Sequence, residues 1–322
     1  MRRPTARQGD GRRGLLAVGL LLLGAGCSPE PRPAAAPAAP PPLTGVSGAR
    51  ALEEALALID IYPRHAGTPG AETAARHLAE RLAAAGVPVA VETFTDPTPE
   101  GPMTFHNVVG RLPGAGSDIV ILGSHFDTKV GMPEGFEGAN DSGSSSGLLL
   151  ELARGLADGP PLPFTVWFAF FDGEECRIRY GPRDGLHGSR HMVRQLTAQG
   201  LTDRVLAIIV LDMVGDPDLT LTIPRNCTPA WVQRVFRAAQ AEDLRRYFRL
   251  LPTAILDDHV PFLEAGIPAV NLIDFEFGSA PGRNDYWHTA HDHRGHISAE
   301  SLDKVGRVVV RLLRDWTPEA PP

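Results

Sequence analysis

Four short apolar runs, each followed by polar residues and separated by stretches of helical character, constrain this chain more than any other feature. Residues 118–122 lead into Gly-Ser-His-Phe-Asp, and residues 164–171 carry Val-Trp-Phe-Ala-Phe-Phe at their heart. Residues 205–211 are apolar throughout, and residues 269–273 nearly so. Runs of this length, rich in Val, Ile and Phe, read as strands buried on both faces. Residues 146–156 and 187–196 between them read as helices. So do residues 49–58 and 71–85 ahead of them and residues 298–313 at the end, where apolar positions share one face. Gly86 stops the second of these. Buried strands alternating with helices give an α/β fold, a single globular domain with a central, mostly parallel twisted sheet flanked by helices.

The first 45 residues stand apart from this pattern. Arg2, Arg3, Arg7, Arg12 and Arg13 precede an apolar run, residues 15–23, and then Gly24-Ala25-Gly26-Cys27. A basic start, a short apolar core and small residues before a cut site read as a secretory signal. The run is shorter than the roughly 20 residues of a bilayer span. A Cys directly after small residues resembles a bacterial lipoprotein signal with Cys27 as the lipid-bearing first mature residue. Gly24, however, stands where that pattern usually has Leu, and Leu23 lies one further back. A plain signal peptide with an incidental Cys is the other reading. Residues 28–42, rich in Pro and Ala, form a stiff extended tether. The organisation expected is a signal over 1–26, a tether over 27–45 and a catalytic domain over 46–322. The chain is then exported, as a membrane-anchored lipoprotein of the cell envelope or as a secreted protein.

The 31 basic and 38 acidic residues leave a net charge of −7, which argues against a nucleic-acid partner. Membrane contact is expected only through the lipid on Cys27, and the protein is expected to act as a monomer. Three cysteines cannot make a disulfide scaffold for a chain this long. Cys176 and Cys227 could pair in an oxidising compartment.

In sheets of this type ligands bind beyond the carboxyl ends of the strands, and the polar residues collect there. His125 and Asp127 follow the first run, Asp172, Glu174 and Glu175 the second, Asp212 the third, and a loop after the fourth carries Trp287 and His288. Asp141 lies in the segment after the first strand. Carboxylate and imidazole ligands suit zinc, which in catalytic sites keeps three protein ligands and an open position. His125, Asp141, Glu175, Asp212 and His288 are the candidates, since each alone reads as a solvated loop residue but the set shares one end of the sheet. The adjacent Glu174 and Glu175 would repel near a core unless a cation held one, leaving the other free as an acid or base. A helix start decorated with acids is the plainer reading. Asp257 is either an N-cap or a second carboxylate of the site. Trp287 lines the pocket and donates one N–H, or is a packed surface aromatic.

From about residue 49 onward the chain resembles the zinc aminopeptidase family and, within it, the glutaminyl cyclases. The shared motifs are Ser124-His125-Phe126-Asp127, Gly138-Ala139-Asn140-Asp141-Ser142, Phe171-Asp172-Gly173-Glu174-Glu175, Leu211-Asp212-Met213-Val214-Gly215 and Trp287-His288-Thr289. Three stretches resemble the cyclases in particular: Asp257-Asp258-His259-Val260-Pro261-Phe262-Leu263 with Gly266-Ile267-Pro268, the segment 182–191, and Trp287 before the last ligand. The resemblance implies one zinc on Asp141, Glu175 and His288. Glu174, Asp212 and Asp257 are then the catalytic carboxylates, Trp287 is a wall of the substrate pocket, and peptide or protein N-termini beginning with Gln are the substrates. The product is pyroglutamate with release of ammonia. Were the chain an aminopeptidase instead, the resemblance implies two zinc ions, with His125 and Asp212 as further ligands, Asp141 bridging and Glu174 activating a water. A surface lipoprotein that binds peptides without reacting is the third reading. The chain departs from the animal cyclases in having Tyr180 for a Trp and a polar stretch, Arg283-Asn284-Asp285, where a pocket Phe is expected. It also has Ser124 and Ser146 at the positions of a disulfide.

Overall fold

Local capping chemistry sets the first two helices. In the computed structural model, which describes residues 45–316, α1 (Gly48–Ile59) starts after Ser47, whose side chain accepts from the Arg50 N–H. Thr68 caps α2 (Pro69–Ala84) in the same way, with Pro69 in the first turn, where its missing N–H costs nothing. Gly86 then takes φ 76° and ends the helix. Next come β1 (Val89–Thr98), β2 (Gly101–Leu112), β3 (Ile119–His125), α3 (Ser145–Ala157), β4 (Thr165–Phe171), α4 (His187–Ala198) and β5 (Val205–Asp212). The chain continues through β6 (Leu221–Pro224), α5 (Pro229–Ala241), β7 (Phe248–Leu251), α6 (His259–Glu264) and β8 (Ala269–Ile273), and closes with α7 (Ala299–Arg314). The expected signal, tether and Cys27 lie outside the described residues.

The strands form one sheet in the order β1-β2-β4-β3-β5-β8-β6-β7. Its centre, β4-β3-β5-β8, is parallel and consists of the four apolar runs. The β1–β2 hairpin joins it antiparallel through β4, and β6 joins the other side antiparallel to β8. Side chains alternate across each central strand. Val120, Leu122, Phe168, Phe170, Ile209 and Leu211 pack with α1, α2, α3, α5 and α7. Ile119, Ile121, Trp167, Phe171, Ile208 and Val210 pack with α4 and α6 on the opposite face. Burying one such side chain fully contributes about 1.5–3 kcal/mol, so the two-sided core sets which residues can be strand. The hairpin lacks that signature: its outer strand alternates between exposed and half-buried positions and includes Pro97.

The central strands run parallel and carry their polar sequels to one edge of the sheet. Ser124 and Ser146 tie β3 to α3 there, with Oγ atoms 3.2 Å apart, and the Ser124 hydroxyl donates to Ser145 Oγ at 2.9 Å. Cys176 and Cys227 are both buried free thiols. No helix among the described residues is long and apolar enough to cross a membrane.

Candidate active site

Beyond the strand ends lies a pocket of about 280 Å³. Its floor carries Asp141, Glu174, Glu175, Asp212, Asp257 and His288, and its walls include Met213, Ile273, Phe275 and Trp287. Of the candidate ligands and catalytic residues, all line this pocket except His125, which lies beside Asp141 and Asp212; Asp127 and Asp172 lie outside it as well.

Two clusters of potential ligand atoms share Asp141: Asp141, Glu175 and His288 form one, and His125, Asp141 and Asp212 the other. In the first, His288 Nε2 lies 2.8 Å from Glu175 Oε1 and 3.2 Å from Asp141 Oδ2. His288 holds φ 56°, a left-handed backbone that a non-glycine residue adopts only when its surroundings impose it. Asp141 follows a left-handed Gly138, and its peptide bond to Ser142 is cis. Its backbone is pinned from below, since Asp292 accepts from the N–H groups of Asn140 at 2.6 Å and Asp141 at 3.2 Å. Arg64, wholly buried, donates to the Gly138 and Phe126 carbonyls, each at 2.9 Å, and fixes the loop further. In the second cluster His125 Nε2 lies 3.0 Å from Asp141 Oδ1 and 3.4 Å from Asp212 Oδ1.

Glu174 and Glu175 do not start a helix; α4 begins only at His187. They sit in an irregular segment whose N–H groups donate to Asp127, at 3.0 Å from Glu174 and 3.2 Å from Glu175. That shared anchor turns the two side chains apart. Glu175 faces the His288 cluster on one oxygen and Lys129 Nζ, 3.2 Å away, on the other. Glu174 instead accepts from the Tyr180 hydroxyl. Asp257 is no N-cap, because α6 is preceded by Asp258. Its carboxylate is held by the Asn271 side-chain amide and the Asp258 N–H. The Trp287 indole donates to Asp141 Oδ2 at 3.0 Å and packs at a tilt on Phe275. An aromatic therefore stands in the pocket wall, but it comes from the end of β8, while Arg283-Asn284-Asp285 lie in a surface loop where Asp285 accepts from Ser279.

This concentration of buried acid has electrostatic consequences. Burial, reinforced by Glu175, Asp257 and Asp258, pushes the Glu174 carboxyl well above the usual range. Asp257 is raised by burial and by Asp212 and Asp258. Burial alone would lower the two histidines, yet His125 is held well above the imidazole range by Asp127, Asp141 and Asp212, and His288 is raised to about 10 by Asp141 and Glu175. A divalent ion suits the same place, because one imidazole nitrogen and two carboxylates bring ligand atoms within 4.8 Å of one another. The donor set fits zinc, which takes three protein ligands of this kind in catalytic sites.

Asp292, Arg64 and Lys129 were not singled out in the sequence. Each acts on a ligand-bearing loop from a distant segment, and no local spacing marks such a role. Tyr180 was noted only as a departure; its distance from Glu174, six residues along an irregular loop, carries no periodic signal.

The sequence profile of a family described as peptidase family M28 matches residues 107–313. A glutaminyl-peptide cyclotransferase-like protein of Bos taurus is 33% identical over 264 residues, covering 73% of this chain and 67% of that protein. Among solved structures, the glutaminyl cyclase of an Acidobacteriales bacterium superposes with a TM-score of 0.79 at 31% identity, over 87% of this chain and 97% of that one. The Porphyromonas gingivalis glutaminyl cyclase superposes with a TM-score of 0.75 at 29% identity, over 84% and 98%.

Proposed function

Because this chain belongs to peptidase family M28, in its glutaminyl cyclase branch, we propose that its pocket converts the N-terminal Gln of peptides and proteins to pyroglutamate, releasing ammonia. The observation that carries the reading is the division of the Glu pair: Glu175 turns into the ligand cluster, while Glu174 stays clear of it in the same pocket as Asp257 and Trp287.

Asp141, Glu175 and His288 would hold one zinc ion. When bound, zinc supplies a Lewis acid for the carbonyl of the Gln side chain. The residues around it do the rest. Trp287 and Phe275 wall a slot for the side-chain methylenes and keep the α-amine near the amide carbon. A C–N bond forms between that amine and that carbon, and the bond to the departing ammonia breaks. Attack is intramolecular, so geometry takes the place of an enzyme nucleophile. Glu174 takes the proton from the amine and returns it to the leaving nitrogen. Asp212 and Asp257, which line the same pocket, would hydrogen-bond along the proton path.

A peptide beginning Gln-Phe tests the reading directly. With zinc-loaded protein, mass spectrometry should find loss of one ammonia from an otherwise intact chain, faster than the spontaneous rate. Release of free Gln would point to the second reading, a two-zinc aminopeptidase, which the His125-Asp141-Asp212 cluster favours. In that case His125 and Asp212 join the ligands and Glu174 activates water.

The N-terminal segment supports export and a lipid on Cys27, with the tether holding the catalytic domain off the membrane. Radiolabelled palmitate should label the full-length chain expressed in a bacterium, and Cys27→Ser should abolish the label. A label that survives the substitution removes Cys27 as the anchor.

A further inference from the structure

We infer that Tyr180 is a positioning residue for the proposed reaction, its hydroxyl holding the Glu174 carboxylate in the orientation that proton transfer needs. The inference rests on the cyclase reading above and adds to it a residue specific to this chain's geometry. The Tyr180 hydroxyl is 3.1 Å from both Oε1 and Oε2 of Glu174. It is the one side chain among the described residues that donates to Glu174. No lysine or arginine among the described residues pairs with this carboxylate, and Lys129 pairs with Glu175 instead. A single O–H shared between both oxygens fixes the plane of the carboxylate and leaves its outer lone pairs toward the pocket.

The loop around Tyr180 is built to place that ring. Asp184 accepts from three successive backbone N–H groups, those of Arg177, Ile178 and Arg179. Leu186 N–H closes the loop on the Glu174 carbonyl at 2.9 Å, and Arg190 Nη1 clamps the Gly181 and Gly185 carbonyls. Gly185 has φ 80°, and a Cβ there would lie 2.5 Å from Tyr180 Cδ1, so a side chain at 185 would push the ring off its position. Lys129 Nζ lies over the ring, 5.6 Å from its centroid. Burial and the neighbouring carboxylates keep the phenol protonated, so it remains a donor at any working pH.

Tyr180→Phe removes the hydroxyl and keeps the ring. A hydrogen bond to a charged group contributes about 1.5–3 kcal/mol, so kcat should fall about tenfold or more, with KM within about twofold. Metal content and melting temperature should match the parent, because the ring packing is unchanged. In a Glu174→Gln background the same substitution should add little further loss, since the orientation of a group that no longer accepts a proton no longer matters. The inference fails if Tyr180→Phe keeps its kcat, if KM alone changes, or if its loss is equally large in the Glu174→Gln background. It also fails if the variant sheds metal or melts early, for the hydroxyl would then be holding the fold. An active Glu174→Gln enzyme would instead overturn the underlying role of Glu174, a separate result.

Discussion

Glu174→Gln is expected to fold, to bind metal as the parent does and to lose turnover by about 10²–10⁴-fold, the range that general acid–base help supplies. The substitution is close to isosteric. The backbone N–H of residue 174 still reaches Asp127, and the side-chain oxygen can still accept from Tyr180. What is lost is the ability to take a proton. Because Glu174 lies outside both ligand clusters, metal content should not move. The loss belongs in kcat, since the pocket wall of Trp287, Phe275 and Ile273 that would receive the substrate is untouched. Glu174 is also the group whose surroundings are least ordinary: burial and three neighbouring acids push its carboxyl well above the usual range, which brings a weak base closer to the working pH. Steady-state kinetics on Gln-Phe with parallel metal analysis decides the matter. Near-full activity would remove Glu174 from the proton path.

Glu175→Ala should bring the metal from about one ion per chain to near none, and activity to the spontaneous rate. Three ligands are the minimum of a catalytic zinc site, so losing one leaves two. The substitution also strips Lys129 of its carboxylate and leaves a half-buried ammonium uncompensated, which further disfavours a dication nearby. Unchanged metal content would sink the ligand assignment. A pH dependence accompanies it. His288 must be neutral to bind a metal, and Asp141 and Glu175 raise the free ring to about 10. Below that pH each metal bound displaces a proton from the ring, so affinity should rise about tenfold per pH unit from this group alone. A competition titration against a chelator at two pH values measures it, and an affinity independent of pH would mean that the free ring is already neutral over that range. Counting ions in the parent protein separates one metal from two, and His125→Ala should leave a count of one unchanged, since His125 lies outside the Asp141-Glu175-His288 cluster.

Much of this arrangement was legible in the residues alone, for a local reason. A strand buried on both faces must be apolar along its whole length, so β3, β4, β5 and β8 each announced themselves, and polar residues directly after such a run must lie at the strand's end. Parallel strands bring those ends together, and so His125, Glu175 and Asp212 could be gathered without knowing the strand order. Membership of the set was legible; the division of labour within it was not. Glu174 and Glu175 are neighbours in the chain, and only the shared grip of Asp127 on their backbone N–H groups sends one to the ligand cluster and the other to Tyr180. Asp257 had equal claims as an N-cap until Asp258 took that place. The β1–β2 hairpin escaped notice because its outer strand is half exposed and lacks a continuous apolar run, and β6 and β7 because each has only four residues.

Burial pattern and strand polarity are properties of short segments, and they suffice to specify a parallel α/β core with acids and imidazoles at its carboxyl edge. Which of those groups face one another depends on contacts between segments far apart in the chain. The contact between Trp287 and Asp141 joins residues 146 positions apart, and no pattern within a segment encodes a distance between two loops. That distance follows from strand order β4-β3-β5-β8, from the packing of helices on both faces, and from buried Arg64 and Asp292, which hold the Asp141 loop against the end of the chain that carries His288.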